Sequence, residues 1–589
     1  MPKISFPGQA ARRPEPSLTG AQAVWETLAR LGTTHVFGYP GGAILPIYDA
    51  LPHAGISHVL VRHEQAAAHM ADGFARATGR VGVAMATSGP GATNLVTGIA
   101  TAMMDGSPIV CITGQVGSSQ LGLDAFQEVD ITGITMPITK HNYLVTDASA
   151  IAPAIAEAFH VASSGRPGPV LVDITKDAQQ SRCASEEYAP VARRPRRPAA
   201  PPLDMAACRA AAALIAAARR PVILAGHGAI APGSSRPLRA LAERAGIPVA
   251  STLLGLGALP ASHPLNLGLA GMHGDAWVNQ AVQEADLVVS LGARFDDRAV
   301  GNARGFAPKA RRVHVDIDAS EIGKVVEVDV GIEGDLARVL PALLTLVEPG
   351  SRDEWLDEIR AARRAAGARD ILNLPGDGRL HGAHIVSALW KHTRGKALVV
   401  TDVGQHQMWA AQYYRPERSR SFITSGGLGT MGFGLPAAIG AQVARPGDEV
   451  WVIAGDGGFQ MTACELSTVV QERLPLRIAV INNAYLGMVR QWQELFYGKR
   501  YTATPMASPD FCKLAEAHGI PAHLVETPAE VSPAIAAARR QAGPVLVEFK
   551  VEADDLVYPM VPSGASLHEM LRRPQPRPRA VPSPAGKGA

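Results

Sequence analysis

The sequence predicts an α/β protein made of three doubly wound parallel-sheet domains. Three observations carry this expectation. Short apolar runs recur along the chain, each cut off by a glycine-rich turn and followed by residues with helical spacing, the alternation that builds parallel sheets. At 589 residues the chain exceeds one hydrophobic core and suggests three or four domains. Alanine and glycine are abundant while aromatics make up only 5%, which favours closely packed helix-on-sheet layers. The expected domains are 18–185, 200–347 and 380–563, with polar, Pro-rich tails at 1–17 and 572–589.

Charge and cysteine usage narrow the class. A net charge of +3 gives no nucleic-acid signal, and much of the basic excess sits in two Pro/Arg stretches, Arg193 to Pro202 and Arg572 to Arg579, read as a solvated linker and tail. The five cysteines, Cys111, Cys183, Cys208, Cys464 and Cys512, show neither metal-ligand spacing nor a pairing pattern, so a reducing compartment and mostly buried thiols are expected. No secretory apolar region precedes Ser17 and no run reaches membrane-spanning length. A cytoplasmic enzyme is the expectation, with a short organelle-targeting leader as the alternative.

In chain order, Thr19 begins a helix through Leu31, and His35 to Phe37 is a short strand ending in the turn Tyr39-Pro40-Gly41-Gly42-Ala43. His58 to Glu64 reads as a strand with a carboxylate at its end, and Gln65 to Thr78 as a helix. By itself Glu64 also fits an ordinary helix cap. Val81 to Thr87 is the next strand, followed by Ser88-Gly89-Pro90-Gly91-Ala92-Thr93-Asn94; Ile109 to Gln115 is another. The segments Gly114-Gln115-Val116, Asp124-Ala125-Phe126-Gln127-Glu128, Thr139-Lys140-His141-Asn142 and Gly165-Arg166-Pro167-Gly168-Pro169-Val170 follow.

Beyond the linker, the strand Pro221 to Ala225 leads into Gly226-His227-Gly228. Gly271-Met272-His273-Gly274 comes next, then the strand Leu287 to Leu291 with Gly292-Ala293-Arg294-Phe295-Asp296-Asp297-Arg298, and Val313-His314-Val315-Asp316-Ile317-Asp318. One glycine-rich turn after a strand is equally a plain turn; three such segments in one domain are more specific.

The third domain carries Val399 to Gln407, the glycine-dense stretch Ser425 to Gly434, and the run Val450 to Ala454 that ends in Gly455-Asp456-Gly457-Gly458. A helical stretch and a second buried strand then deliver Asn482-Asn483. Two neighbouring parallel strands would therefore present Asp456 and Asn483 at their carboxyl ends, where open α/β sheets bind ligands. A carboxylate and an amide oxygen suit a hard cation such as Mg²⁺, and the glycines would admit a diphosphate to backbone N–H groups. Gly-Asp-Gly without the Asn pair would also fit a simple strand-to-helix turn.

Taken together, these segments resemble the catalytic subunit of acetohydroxyacid synthase, also called acetolactate synthase, a thiamin-diphosphate enzyme family, from Thr19 to about Ser563. The resemblance implies decarboxylation of pyruvate and ligation of the two-carbon unit to a second pyruvate or to 2-ketobutyrate, on the way to valine, leucine and isoleucine. It implies thiamin diphosphate, Mg²⁺ and FAD as cofactors. By position, Glu64 would activate thiamin through a pyrimidine ring nitrogen, with Gln115 and Lys140 as further catalytic residues. Asp456, Asn483 and the Tyr485 carbonyl would bind Mg²⁺. Gln405, His406, Gly429, Met431, Gly455, Gly457, Gly458, Leu486, Gly487 and Met488 would contact thiamin diphosphate, Met431 holding it bent. Arg166, Gly226, Gly228, Gly271, Met272, His273, Gly292, Arg294, Asp316, Ile317 and Asp335 would contact FAD. Gly42, Phe126, Met488, Trp492 and Arg298 would surround the substrate channel, the guanidinium suited to bidentate capture of a carboxylate. A homodimer or homotetramer with a site shared between chains, and a small regulatory subunit, are also implied.

Three positions depart from the family pattern. Gly117 stands where proline is frequent, Leu123 where threonine is common, and His227 lies inside the Gly-x-Gly turn. Two other readings stay open: another thiamin enzyme, such as a pyruvate oxidase or an FAD-free catabolic acetolactate synthase, and a non-catalytic scaffold. Arg294 to Arg298 and Trp492 argue against the first, and Glu64, Asp456 and Asn483 against the second.

Overall fold

The computed structural model describes residues 17–184 and 202–574. The linker at 193–202, apart from Pro202, and the two tails, apart from Ser17 and residues 572–574, lie outside the described residues. Three six-stranded sheets, every strand parallel to its neighbours, form the fold, interleaved with helices. Their central strands are buried nearly throughout, as sheets covered on both faces require, while edge strands such as His141–Val145 and Ala522–Val525 are partly exposed.

The chain divides into two compact units. The first holds residues 1–203, 391–407 and 416–553, and with them two of the sheets. Across its N-terminal sheet the strands run Ser57–Leu60, His35–Gly38, Gly82–Ala86, Ile109–Gln115, Val170–Thr175 and His141–Val145. Across its C-terminal sheet they run Phe422–Ile423, Leu398–Thr401, Val450–Gly455, Arg477–Asn482, Val545–Lys550 and Ala522–Val525. Numbered by chain order, both read 2-1-3-4-6-5, so the two sheets share one doubly wound plan. In both, the winding reverses between the first and third strands. A small antiparallel pair, Ser17–Thr19 with Arg182–Ala184, ties together the ends of the N-terminal segment.

Two helices join these sheets. Glu64–Thr78 crosses Gly434–Ala444 so closely that a Cβ at Gly73 would lie 2.0 Å from the Ala437 carbonyl oxygen, and one at Gly440 would lie 1.9 Å from that of Met70. Residues 434–442 are all buried, which is why that helix is apolar on every side. Phe37, Phe74, Phe433, Phe459 and Phe511 share one continuous core across the crossing.

The second unit holds residues 204–390, 408–415 and 554–589, of which those up to 574 are described. Its strands run Asn266–Leu269, Val249–Ser251, Pro221–Ala225, Leu287–Leu291, Arg311–Asp316 and Val330–Glu333. Chain order across it reads 3-2-1-4-5-6, the arrangement whose winding reverses between Pro221–Ala225 and Leu287–Leu291.

Several sequence-based boundaries shift. The strand expected through Glu64 stops at Leu60, and Glu64 is the first residue of the helix Glu64–Thr78. The cause is distant: the Glu465 carboxylate accepts the backbone N–H groups of Arg62 (2.9 Å) and His63 (3.0 Å), pulling them off the sheet. Thr19 caps its helix in a capping box with Gln22. Cys111, Cys183 and Cys208 are buried, whereas Cys464 is exposed.

Candidate active site

The C-terminal sheet delivers its polar groups at the carboxyl ends of Leu398–Thr401 and Val450–Gly455, which flank the reversal in winding where strand ends splay and leave a crevice, and of the next strand, Arg477–Asn482. Val450–Gly455 pairs in register with Arg477–Asn482, so Asp456 and Asn483 emerge side by side. Asp456 is buried, and burial raises its carboxyl pKa to about 6 against the opposing effects of the Ser508 hydroxyl and the N–H groups of Asp456, Gly457 and Asn483. The Ser508 Oγ donor stands 3.0 Å from Asp456 Oδ2. A buried carboxylate without a cation beside it is the group a divalent ion would stabilise.

The Asn pair shapes the next turn. Asn482 Oδ1 accepts the Ala484 N–H at 2.9 Å, and Asn483 Oδ1 accepts the Tyr485 N–H at 3.1 Å. Ala484 accordingly sits at a left-handed φ of 55°. The Leu486 N–H bonds Thr504 and the Met506 N–H bonds the Ala484 carbonyl. Tyr485 and Pro505 thus form a non-hydrogen-bonded pair, which leaves the Tyr485 carbonyl unconsumed by the pairing. Asn483 Nδ2 also donates to Gln405 Oε1 (3.1 Å), and Gln405 Nε2 to Gln491 Oε1 (2.9 Å).

His406 lies across the winding reversal from Asp456. Burial lowers its pKa to about 3, so the ring is neutral, and its buried Nε2 has no hydrogen-bond partner among the described residues. An orphaned polar atom at a strand-end crevice is one that a ligand with a hydrogen-bonding group can engage.

The glycines have a second explanation that the sequence hid. A Cβ at Gly455 would lie 2.7 Å from His406 Nδ1, one at Gly458 2.0 Å from Asp402 Oδ1, and one at Gly487 2.3 Å from Gln405 Oε1. A Cβ at Gly457 would meet Leu486 at 2.9 Å and the Met431 methyl at 3.4 Å. Their first requirement is close approach by the chain's own side chains. Gly429, with φ +69°, is instead open, its nearest neighbour being Val403 at 4.0 Å.

In the N-terminal sheet, Glu64 is half-buried and its Oε2 accepts from Asn94 Nδ2 at 2.9 Å. Gln115 is fully engaged: Nε2 donates to Asp173 Oδ2 and to the Val129 carbonyl, both at 2.9 Å, and Oε1 accepts the Val116 N–H at 2.9 Å. Burial raises the Asp173 pKa to about 6. The Lys140 ammonium donates to the Ser164 carbonyl at 2.6 Å and to that of Val161. Arg166 reaches the Met104 carbonyl at 3.2 Å. Gly42 has open space where a Cβ would be, and Phe126 is 88% exposed on a turn with left-handed residues at Asp124 and Gln127.

Helix Gly487–Phe496 carries Met488 and Trp492 into the wall of a cavity of about 660 Å³, together with Val489, Gln493, Tyr497 and Arg500. Trp492 packs edge-on against Phe496, ring centroids 5.3 Å apart.

In the second unit, Gly226 and Gly292 face each other at the winding reversal, where a Cβ at Gly226 would fall 2.1 Å from the Gly292 carbonyl oxygen. The Gly228 N–H bonds that same carbonyl. Asn279 clamps Gly271 from both sides at 2.9 Å. The Met272 N–H bonds the Arg298 carbonyl (2.7 Å), and the exposed Arg298 guanidinium lies 3.2 Å from Met272 Sδ. Burial lowers the His273 pKa to about 4. Arg294 lies 3.9 Å from Asp296, Asp316 bonds the Asp318 N–H at 3.0 Å, Ile317 follows Asp316 at the strand end, and Asp335 caps the helix Leu336–Leu346.

Ser508, Asp402, Glu465, Asn94 and Asp173 were not singled out from sequence. Asn94 had a signal, since it ends the Gly/Pro-rich turn Ser88–Asn94; Ser508, on an irregular loop, had none.

Residues 18–134 match the family model of the thiamine pyrophosphate enzyme N-terminal TPP binding domain. Residues 208–343 match that of the central domain and 402–549 that of the C-terminal TPP binding domain. The chain is 50% identical over 567 residues to acetolactate synthase of Mycobacterium bovis, covering 94% of this chain and 91% of that one. It is 48% identical over 561 residues to the acetolactate synthase large subunit of Corynebacterium glutamicum (93% and 89% covered). It is 45% identical over 557 residues to the acetolactate synthase isozyme 2 large subunit of Escherichia coli K12 (94% and 100%).

Proposed function

The chain belongs to the acetolactate synthase family of thiamine pyrophosphate enzymes, and we propose on that premise how its residues divide the work. The reaction decarboxylates pyruvate and ligates the two-carbon unit to a second pyruvate, giving 2-acetolactate, or to 2-ketobutyrate, giving 2-aceto-2-hydroxybutyrate. It is the first common step of branched-chain amino acid biosynthesis. The observation that carries the division is the placement of Asp456, Asn483 and the orphaned His406 Nε2 at one strand-end crevice.

Bound thiamin diphosphate supplies the electron sink for decarboxylation and carbon–carbon bond formation. Asp456, Asn483 and the Tyr485 carbonyl hold Mg²⁺, and Gln405 and His406 receive the diphosphate. Met431, packed over Gly457, sets the shape of the space beside them. Glu64, oriented by Asn94, is the carboxylate that would hold a proton toward a ring nitrogen of the bound cofactor. Gln115 and Lys140, tied to Asp173 and to backbone carbonyls, act by holding the walls of the channel. Phe126, Gly42, Met488, Trp492 and Arg298 serve substrate selection. The strand ends at Gly226, Gly292 and Asp316, with Gly228, Gly271, Met272, His273, Arg294, Ile317 and Asp335, hold FAD; Arg166 is the further residue proposed for it. The domains are taken as 18–185, 200–347 and 380–563, which the family-model matches support.

The site is shared between two chains of a homodimer, with Glu64 from one and Asp456 from the other. Glu465, which fastens the Glu64 turn within one chain, lies nine residues beyond Asp456, about 14 Å along a helical path. The relatives named large subunits support a small regulatory subunit. A cytoplasmic location is proposed for this biosynthetic role; no helix among the described residues is long and apolar enough to cross a membrane.

Product analysis tests the reading. With thiamin diphosphate, Mg²⁺ and FAD, pyruvate alone should yield 2-acetolactate, and added 2-ketobutyrate should divert product to 2-aceto-2-hydroxybutyrate. Acetyl phosphate or peroxide in their place would overturn it.

A further inference from the structure

The loop that carries Met431 is fastened from outside its own sheet. Asp105, buried at the end of the helix Val96–Asp105, accepts the Gly427 N–H on Oδ1 (2.6 Å) and the Gly426 N–H on Oδ2 (3.2 Å). A Cβ at Gly427 would come 2.7 Å from Asp105 Oδ1, so glycine is what lets the carboxylate reach the backbone. Arg76 holds Asp105 in turn: its Nη2 is 2.6 Å from Asp105 Oδ2, while Nε is 2.7 Å from Asp72 Oδ1 and 3.1 Å from Ser107 Oγ. Arg76 Nη1 also donates to the Thr424 carbonyl at 2.6 Å, at the root of the same loop.

Further ties add to the attachment, among them Gln407 Nε2 to the Ser425 carbonyl at 3.0 Å. Thr101 Oγ1 lies 2.7 Å from Thr430 Oγ1, next to Met431. At the far end Asp402 accepts the N–H groups of Gly432 (3.1 Å) and Gly434 (2.8 Å). Between these anchors the loop has little packing of its own, since Leu428 and Gly429 are exposed. Its position is set by hydrogen bonds to buried charge, and the resulting position puts the Met431 methyl over Gly457, next to Asp456.

We propose that Asp105, held by Arg76, is a positioning residue for the reaction: it sets the Ser425–Met431 loop, and hence Met431, at the cofactor crevice of the same chain. This rests on the reading that the crevice takes thiamin diphosphate. The carboxylate acts through two backbone N–H groups and touches neither substrate nor cofactor. Two carboxylates, Asp72 and Asp105, share one guanidinium, so the excess negative charge is matched by the glycine N–H dipoles. Removing that charge should loosen the loop while sparing the apolar core.

The test uses the full chain with Mg²⁺, comparing wild type with Asp105→Asn and with Thr101→Val, the latter deleting the Thr430 tie together with a bond within the helix to the Thr97 carbonyl. Three quantities are read: the Kd for thiamin diphosphate by calorimetry, amide exchange of 425–433 against 450–455 in the cofactor-free chain, and the KM for pyruvate. Asp105→Asn should weaken cofactor binding about tenfold and speed exchange of 425–433 by a similar factor, as loss of one charge-assisted hydrogen bond predicts. Exchange of 450–455 and the KM for pyruvate should hold steady. Thr101→Val should shift Kd and loop exchange in the same direction by a smaller factor, and it carries the test if Asp105→Asn does not fold. Folded variants with wild-type Kd and wild-type loop exchange would overturn the positioning role alone. A wild-type chain that does not bind thiamin diphosphate would overturn the functional reading, and this inference with it.

Discussion

The backbone N–H of Asn483 faces the carboxylate of Asp456 across two strands whose register pairs Gly455 with Ile481. Asp456 is the charged member of this pair, and its burial without a cation is unfavourable. Asp456→Asn should therefore weaken Mg²⁺-dependent thiamin diphosphate binding by about 100-fold, the scale expected when one partner of a buried ion pair is neutralised. The melting midpoint of the cofactor-free chain should not fall, because a buried amide costs less than a buried carboxylate. Calorimetric titration and a thermal scan read the two effects, and an unchanged Kd would remove Asp456 from the metal site.

Glu64 and Asp456 are expected to meet only across a dimer. Glu64→Ala and Asp456→Ala chains, each nearly inactive alone, should complement when mixed and re-associated. Half the dimers would then be mixed, each with one intact site, so roughly a quarter of wild-type activity should return. Mixed dimers of confirmed composition that stay inactive would place both residues in one chain's site.

Trp492 lines the 660 Å³ cavity with Met488. The two acceptors differ by one methylene, a difference worth about 1–3 kcal/mol in a shaped apolar wall. Trp492→Leu should change the ratio of 2-aceto-2-hydroxybutyrate to 2-acetolactate by up to about tenfold in a competition assay. Equal ratios in mutant and wild type would take Trp492 out of selection. Arg298→Ala should separately lower product formation by about tenfold or more while thiamin diphosphate binding is unchanged, since a charge-assisted hydrogen bond to a carboxylate is worth about 1.5–3 kcal/mol.

His381 makes stability pH-dependent in the second unit. Its Nδ1 is 3.3 Å from Asp555 Oδ2 and its Nε2 is 3.2 Å from Asp377 Oδ2, while Arg573 reaches Asp555 at 3.2 Å. Asp555 foremost, then Asp377, hold the His381 pKa above its ordinary value despite burial. The folded chain thus binds this proton more tightly than the unfolded chain. The stabilisation is complete below pH about 6.5 and is lost as pH rises through the folded-state pKa. Between pH 6 and 8.5, wild type should lose more stability than His381→Gln, read from denaturant midpoints. Parallel curves would show that His381 is not the titrating group.

What the sequence determined by itself was everything written in neighbouring residues. The apolar run into Gly455-Asp456-Gly457-Gly458 could only be a buried strand breaking into a helix, and the Asn482-Asn483 pair after the next run could only follow a second one. Spacing alone also predicted a helix starting at Thr19, within one residue of its observed start, and the strands Pro221–Ala225 and Leu287–Leu291, because turn chemistry and burial periodicity act over a few residues. Tertiary structure decided which distant group each of these meets. Glu64 opens a helix because Glu465 takes the amides before it, and Gln115 is engaged by Asp173. Gly455, Gly457 and Gly458 are filled from His406, Leu486 and Asp402, and the Met431 loop takes its position from Asp105. Such partners stand tens to hundreds of residues apart, where loop closure costs little more with each added residue and nothing local marks the pairing. Only the packed sheets bring the partners together, and the charge and hydrogen-bond demands of burial then decide which of them bind.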